Sequence, residues 1–302
     1  RYRLPSAVLP VNVRIFRSGR APYIAVSCYD ENERHARSQI LQFAGGKFKV
    51  VVPHVRRYLN VVSLPPMYAP TLIGQDSDRS KTVAGKMYEM YMEGDKLMRG
   101  GSITGLPKGA NLFNFAYIPA DRGGRSSHIA MVADNETIVT FDAGGKRLAA
   151  TQDTYSGSSV YIVGDRGLGD LESPDELAQV LYYVPMRMPV VDLDRDGKYE
   201  LIVNKPVTVT GKLFTNFRTY PQGEIHAMAW NGLGMELLWK TRRIRGTVCD
   251  VNVTDIDNNG KVDLVVAVNS YAGIGAGVKT RCAVIMYPLD TTLTNAKPNY
   301  AE

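Results

Sequence analysis

An acidic turn occurs twice in this chain, and the recurrence narrows the available folds more than anything else in the sequence. Val191-Asp192-Leu193-Asp194-Arg195-Asp196-Gly197-Lys198-Tyr199-Glu200-Leu201-Ile202-Val203 matches Thr254-Asp255-Ile256-Asp257-Asn258-Asn259-Gly260-Lys261-Val262-Asp263-Leu264-Val265-Val266 position for position, and the turn glycines lie 63 residues apart, 260 − 197. Self-similarity at a fixed period marks a stacked or radial architecture, in which one supersecondary unit cannot bury its own apolar faces and relies on its neighbours. Weaker copies then come into view. Ile118-Pro119-Ala120-Asp121-Arg122-Gly123-Gly124 precedes a strand-like run at Ile129, and Phe16-Arg17-Ser18-Gly19 precedes one at Tyr23. Pro70-Thr71-Leu72-Ile73-Gly74 keeps the strand and has lost the acids, which makes five candidate units.

The residues between these turns are β-like. Runs rich in Val, Ile, Tyr and Thr, such as Tyr23–Ser27, Gln39–Phe43, Met87–Met92 and Ile129–Ala133, are separated by Gly, Asn and Asp turns. Gly45-Gly46 and Gly144-Gly145 stand where tight hairpins need positive φ. Only Ser173-Pro174-Asp175-Glu176-Leu177 reads as a helix start, with a Ser cap, Pro at the first helical position and two acids behind it. Strands and helices do not alternate, so a Rossmann or barrel enzyme fold is disfavoured. The expectation is an all-β β-propeller occupying residues 1–302 as one domain, with about 4 to 8 blades being usual for the class. A β-sandwich is the architectural alternative, but its strands need not repeat.

The acidic turns have the chemistry of a calcium loop. Ca²⁺ takes six to eight oxygen ligands, and carboxylates at alternate positions of a tight loop converge on it. Asp192, Asp194 and Asp196 fill positions 1, 3 and 5, Lys198 offers its carbonyl at 7, and Glu200 closes at 9; Asp255, Asp257, Asn259, Lys261 and Asp263 fill the same places in the second loop. An EF-hand would also need a bidentate acid at position 12 and flanking helices, yet position 12 is Val203 or Val266. Both loops run instead into apolar β segments, so the expectation is two structural Ca²⁺ sites in a strand-loop-strand setting. The alternative is a pair of Asx turns held by side-chain hydrogen bonds alone. The turns around Asp121 and Gly19 hold too few acids for an ion.

Composition removes several function classes. The 36 Lys+Arg against 30 Asp+Glu are scattered, with short clusters at Arg56-Arg57 and Lys240-Thr241-Arg242-Arg243 that read as solvated surface. There is no basic stripe interleaved with aromatics of the kind nucleic acid needs, and no apolar run of about 18 residues to span a bilayer. The start at Arg1 suggests a processed product or a fragment. Cys28, Cys249 and Cys282 form no CxxC pair; Cys28 and Cys282 lie in apolar runs that suit buried thiols, and a Cys249–Cys282 disulfide is open. His35, His54, His128 and His226 are isolated and read as loop or surface residues. No GxSxG elbow, P-loop or dinucleotide fingerprint is present, and Gly273-Ile274-Gly275-Ala276-Gly277 reads as a flexible loop between two strands.

The Asp-x-Asp-x-Asp-Gly-x-x-Glu loops resemble the FG-GAP/VCBS repeats of integrin-α-like propellers. Across most of the chain, Thr71–Gln75, Leu106–Phe113, Gly211–Phe214 and Trp239–Gly246 resemble the C-terminal propeller of exported VCBS-repeat proteins of Geobacter-like bacteria. The resemblance implies export to the periplasm, outer membrane or exterior, with further sequence before the part given. It also suggests a calcium-binding module for a protein or glycan partner, and no enzyme. The alternatives are a structural subunit of a surface or filament assembly joined through blade edges and, less favoured, a polysaccharide-active enzyme.

Overall fold

The computed structural model describes residues 2–77, 83–120, 126–164, 180–207, 220–272 and 279–289. Among them there is no helix, and the strands form antiparallel sheets in which sequence neighbours pair. The chain is an all-β protein, and its five larger sheets are β-propeller blades. The helix start expected at Ser173–Leu177 lies outside the described residues, as do the turn around Asp121, Gly211–Phe214 and the Gly273–Gly277 loop. No helix of the described residues is long and apolar enough to cross a membrane.

Two compact units are present, Arg1–Phe113 with Val160–Val184 and Asn114–Ser159 with Pro185–Glu302. In the first unit, β1 (Val8–Ser18), β2 (Ala21–Asp30), β3 (His35–Ala36), β4 (Ser38–Ala44) and β5 (Lys47–Val55) make the first sheet. The second sheet is β6 (Arg57–Leu64), β7 (Ala69–Asp76), β8 (Ala84–Glu93) and β9 (Lys96–Ser102). The alternation of each strand sends Phe16, Ala25 and Ile40 of the first sheet against Leu59, Leu72 and Met90 of the second. The other face of the first sheet, with Val26, Cys28 and Leu41, is packed by Tyr2 and Leu4.

Turn chemistry follows the glycines. Gly45 and Gly46 adopt φ of +57° and +74° between β4 and β5, as a two-residue hairpin turn requires. Of the expected Gly144-Gly145 pair, only Gly145 is left-handed. There the Asp142 carboxylate takes N–H bonds from Gly144 and Lys146, both at 2.9 Å, so a side chain does part of the turn's work.

The remaining strands begin with β10 (Phe115–Pro119), β11 (Ser127–Val132), β12 (Thr137–Phe141) and β13 (Arg147–Thr154), the third sheet, in the second unit. A ribbon of β14 (Tyr161–Gly164) and β15 (Val180–Tyr183) belongs to the first unit. The fourth sheet is β16 (Val190–Val191), β17 (Glu200–Val207), β18 (Gln222–Trp230), β19 (Met235–Lys240) and the short β20 (Ile244–Arg245), and the fifth is β21 (Thr247–Thr254), β22 (Asp263–Ala272) and β23 (Lys279–Pro288). The fourth sheet is covered on both sides. Leu201, Val203 and Met228 pack on Ile118, Ala130 and Ile138 of the third sheet, while Ile202, Ile225 and Ala227 pack on Val251, Leu264 and Val266 of the fifth.

The thiols correct one expectation and answer another. Cys28 is buried and free, and burial pushes its thiol up to about 12. Cys282 is free but exposed, because its side of β23 has no covering sheet among the described residues. Cys249 is also free. It sits at a bulge of β21 while Cys282 lies on β23, with β22 between them. Two ladder spacings of about 4.8 Å each exceed the separation a disulfide spans.

Candidate metal centre

Each acidic loop is a hairpin connection whose ends are fixed by strand register. Val191 pairs with Glu200 across β16 and β17, and Thr254 pairs with Asp263 across β21 and β22. Position 9 is therefore the first residue of the returning strand, beside the residue that precedes position 1. Its carboxylate is carried to the loop's mouth by the ladder itself.

The chain between follows the same path in both loops. Position 4 is left-handed, with φ of +59° at both Arg195 and Asn258, and position 6 is a left-handed glycine, +88° at Gly197 and +86° at Gly260. A Cβ at Gly260 would meet nothing within 4 Å, so its need for glycine is conformational. The side chains fold inward onto the backbone. Asp192 accepts the Gly197 N–H at 3.0 Å and Asp255 that of Gly260 at 2.8 Å. Asp194 and Asp257 each accept the position 5 N–H at 3.1 Å. Asp196 and Asn259 accept the N–H of Lys198 and Lys261 at 2.7 and 2.8 Å. Glu200 and Asp263 accept the position 2 N–H, from Leu193 at 2.8 Å and Ile256 at 3.3 Å.

This framework draws the acids together. Asp192, Asp194 and Asp196 each bring a carboxylate oxygen within 4.8 Å of the others, and Asp255, Asp257 and Asp263 do the same. Glu200 stands outside the first trio, held by Leu193, and Asn259 contributes an amide rather than an acid. The described contacts of Lys198 and Lys261 are their N–H groups, so their carbonyls as ligands stay an expectation.

The electrostatics of the two loops differ. Glu200 is 4% exposed, and burial pushes its carboxyl up to about 7 against the Leu193 N–H bond that opposes it, with the Asp194 and Asp192 charges adding to the rise. One oxygen of Asp192, Oδ1, is buried with no hydrogen-bond partner. In the second loop the Asn259 amide donates to Asp257 at 2.9 Å, which offsets part of the charge locally. Convergent hard oxygens, one of them buried and unmet, fit a Ca²⁺ ion.

A second polar cluster lies on β18 and had no motif to announce it. Glu224 and His226 are 7% and 3% exposed, with His226 Nε2 and Glu224 Oε2 at 3.3 Å. Lys240 and Arg243 reach the same carboxylate at 3.1 and 3.2 Å. Two members of the basic run read as solvated surface thus close over a buried acid. His226 is not the surface residue expected; the signal was a Glu and a His on alternate positions of an otherwise apolar strand. Burial holds its imidazole below the ordinary range, against the pull of Glu224 and with the Lys205 and Lys240 charges adding to the fall.

No protein-family model matches the chain, and no curated protein is similar to it.

Proposed function

We propose that this chain is a calcium-stapled β-propeller of the FG-GAP/VCBS type that works outside the cytoplasm as a binding module for a protein or glycan. The observation that carries the reading is the pair of acid trios converging within 4.8 Å on matching backbones. Asp192, Asp194, Asp196 and Glu200 would hold one ion and Asp255, Asp257, Asn259 and Asp263 the other. The ion supplies positive charge where carboxylates would otherwise repel, and it ties each hairpin's ends together. The exported reading is supported by the likeness of both loops to the FG-GAP/VCBS pattern.

The binding half rests on exposed aromatics. Phe43 and Phe48 are 57% and 41% exposed and pair across β4 and β5 with ring centroids 5.0 Å apart. Rigid rings presented this way serve sugar stacking or a protein contact with little entropy to lose. The test has two arms. Calcium titration by calorimetry should give two sites, lost in Asp194→Ala with Asp257→Ala; an unchanged melting temperature with and without chelator sinks the ion. A glycan array and a pull-down with calcium-loaded protein should yield a ligand that Phe43→Ser with Phe48→Ser loses; silence in both sinks the binding role.

A further inference from the structure

The first unit is polarised along its strands. Ile24 of β2 pairs with Ile15 of β1 and Leu41 of β4, so the β1–β2 turn at Gly19 and the β4–β5 turn at Gly45 come to one end of the first sheet. Ile73 of β7 pairs with Asn60 and Glu89, which sends the β6–β7 and β8–β9 turns to one end of the second. Ser18 donates to the Met92 carbonyl at 3.1 Å and accepts the Met92 N–H at 3.0 Å, so the two are the same end.

Charge is distributed unevenly between the ends. At the end away from these turns Arg37 meets Asp30 at 2.9 Å and Arg57 meets Asp76 at 2.7 Å. At the turn end Arg17, Arg20, Lys47 and Lys49 are exposed, and among the described residues none of them has an acidic partner. Asp30 is the sole acid on β1, β2, β4 and β5, and it lies at the paired end. Glu93, Asp95 and Lys96 join the turn end at the β8–β9 turn, which leaves five cations against two acids on the turns and the residues beside them.

Apolar side chains protrude from the same turns. Ile15 is 69% exposed and Met67, in the β6–β7 turn, 83%, while Phe43 and Phe48 flank the β4–β5 turn. The neighbours that register gives the two rings on their own face are Leu41, Val50 and Ile24, and none of them offers a sugar hydroxyl a partner.

We propose that this end of the first unit docks on an anionic lipid surface, with Phe43, Phe48, Ile15 and Met67 entering the headgroup and acyl boundary while the cations meet the headgroups. Charge complementarity selects the occupant. Unpaired cations around protruding apolar tips match a negative leaflet, and a neutral surface would leave those cations unmet. The tips belong to separate turns and form no groove, and a fluid bilayer admits each of them singly. The inference goes beyond the protein or glycan partner proposed above, since it gives the same unit a surface to attach to.

Cosedimentation of the full chain with vesicles in calcium tests it. Binding to mixed phosphatidylglycerol and phosphatidylcholine vesicles is expected, weakening as salt rises, with little binding to phosphatidylcholine alone. Lys47→Ala with Lys49→Ala should weaken it about twenty-five-fold, at about fivefold per cation. Ile15→Ser with Met67→Ser keeps every charge and both rings and should weaken it by about tenfold or more, whereas a sugar stacked on the rings would not sense the change. All four positions are exposed, so the melting temperature should hold. Phe48→Trp should add emission that brominated acyl chains quench. Absence of binding to the anionic vesicles, equal binding to the neutral ones, or wild-type affinity in Ile15→Ser with Met67→Ser overturns the inference. The vesicles hold neither protein nor sugar, and Asp194→Ala with Asp257→Ala, in the second unit, should bind them as wild type does. This outcome is therefore separate from those of the glycan array, the pull-down and the calcium titration.

Discussion

The fourth and fifth sheets carry the same acidic repeat but differ in what covers them. In the fourth, every residue from Glu200 to Asn204 is buried, whereas in the fifth burial alternates from Leu264 to Asn269. Position 2 reports the same contrast, since Leu193 packs against the core while Ile256 is 45% exposed. The loop backbones are nevertheless the same, with matching left-handed residues and N–H bonds. Loop shape is thus local, set by glycine and Asx chemistry. The cost of leaving its charges unmatched is set by the neighbouring sheets, and it is greater in the fourth.

The largest effect should come from the cover itself. Leu201 is fully buried between two sheets, and Leu201→Ala should cost about 2–5 kcal/mol in urea denaturation. Val284→Ala, at a 68% exposed site, should stay within about 0.5 kcal/mol. Equal losses would break the contrast between the sheets.

Next in size is the response to calcium. A site filled at a hundredfold excess over its Kd stabilises by about 2.7 kcal/mol. Asp192→Asn with Asp194→Asn should remove more of the calcium-dependent rise in melting temperature than Asp255→Asn with Asp257→Asn, because Asp192 carries a buried carboxylate oxygen with no hydrogen-bond partner and Asp194 is half-buried, whereas Asp257 is exposed. A larger loss from the second pair would reverse the ranking of the loops.

Much of this was legible in the sequence, and what was not has a physical reason. The 63-residue period and the turn glycines specify hairpins and strand starts, so β17 and β22 begin where the apolar runs after the loops predict. Position 9 could be placed because register is fixed by a two-residue periodicity. Burial is a property of neighbours distant in sequence, so nothing in the two loops foretells that Glu200 and Asp263 are both enclosed, or that Asp194 is half-buried while its counterpart Asp257 is exposed. The Glu224 and His226 pair was hidden for the same reason: its partners Lys240 and Arg243 come from the next strand and the loop beyond it. Cys282 was misplaced because an apolar run implies cover, and β23 has such a run without the cover.

Asn259 is the one liganding position at which the loops differ in charge, and it offers a finer test. Asn259→Asp gives the second loop the acid count of the first and removes the amide that donates to Asp257. Without calcium the variant should lose about 1 kcal/mol from the added repulsion. With calcium it should bind about tenfold more tightly, the equivalent of 1.4 kcal/mol. An unchanged affinity would mean that carboxylate number does not set the strength of these loops.

The smallest effect should be a pH slope set by the buried His226 of the fourth sheet. His226 is held below its ordinary value of 6.5, chiefly by burial, so the folded chain refuses a proton that the unfolded chain accepts. Its contribution to stability is therefore present above pH 6.5 and is lost progressively as the pH falls beneath it. Glu224 is also held low, by His226, Lys240 and Arg243 against its own burial, so it loses its contribution only as the pH drops below its ordinary 4.5. Glu200 works the other way in chelator, since a carboxyl raised to about 7 stabilises at low pH and loses that effect as the pH rises through 7. The difference between wild type and His226→Gln cancels the Glu200 contribution. Melting temperatures between about pH 8 and pH 5 should fall more steeply in wild type than in His226→Gln. Parallel curves would show that the buried imidazole takes up its proton in the fold, against the ring of Lys205, Lys240, Arg243 and Tyr155 that surrounds the pair.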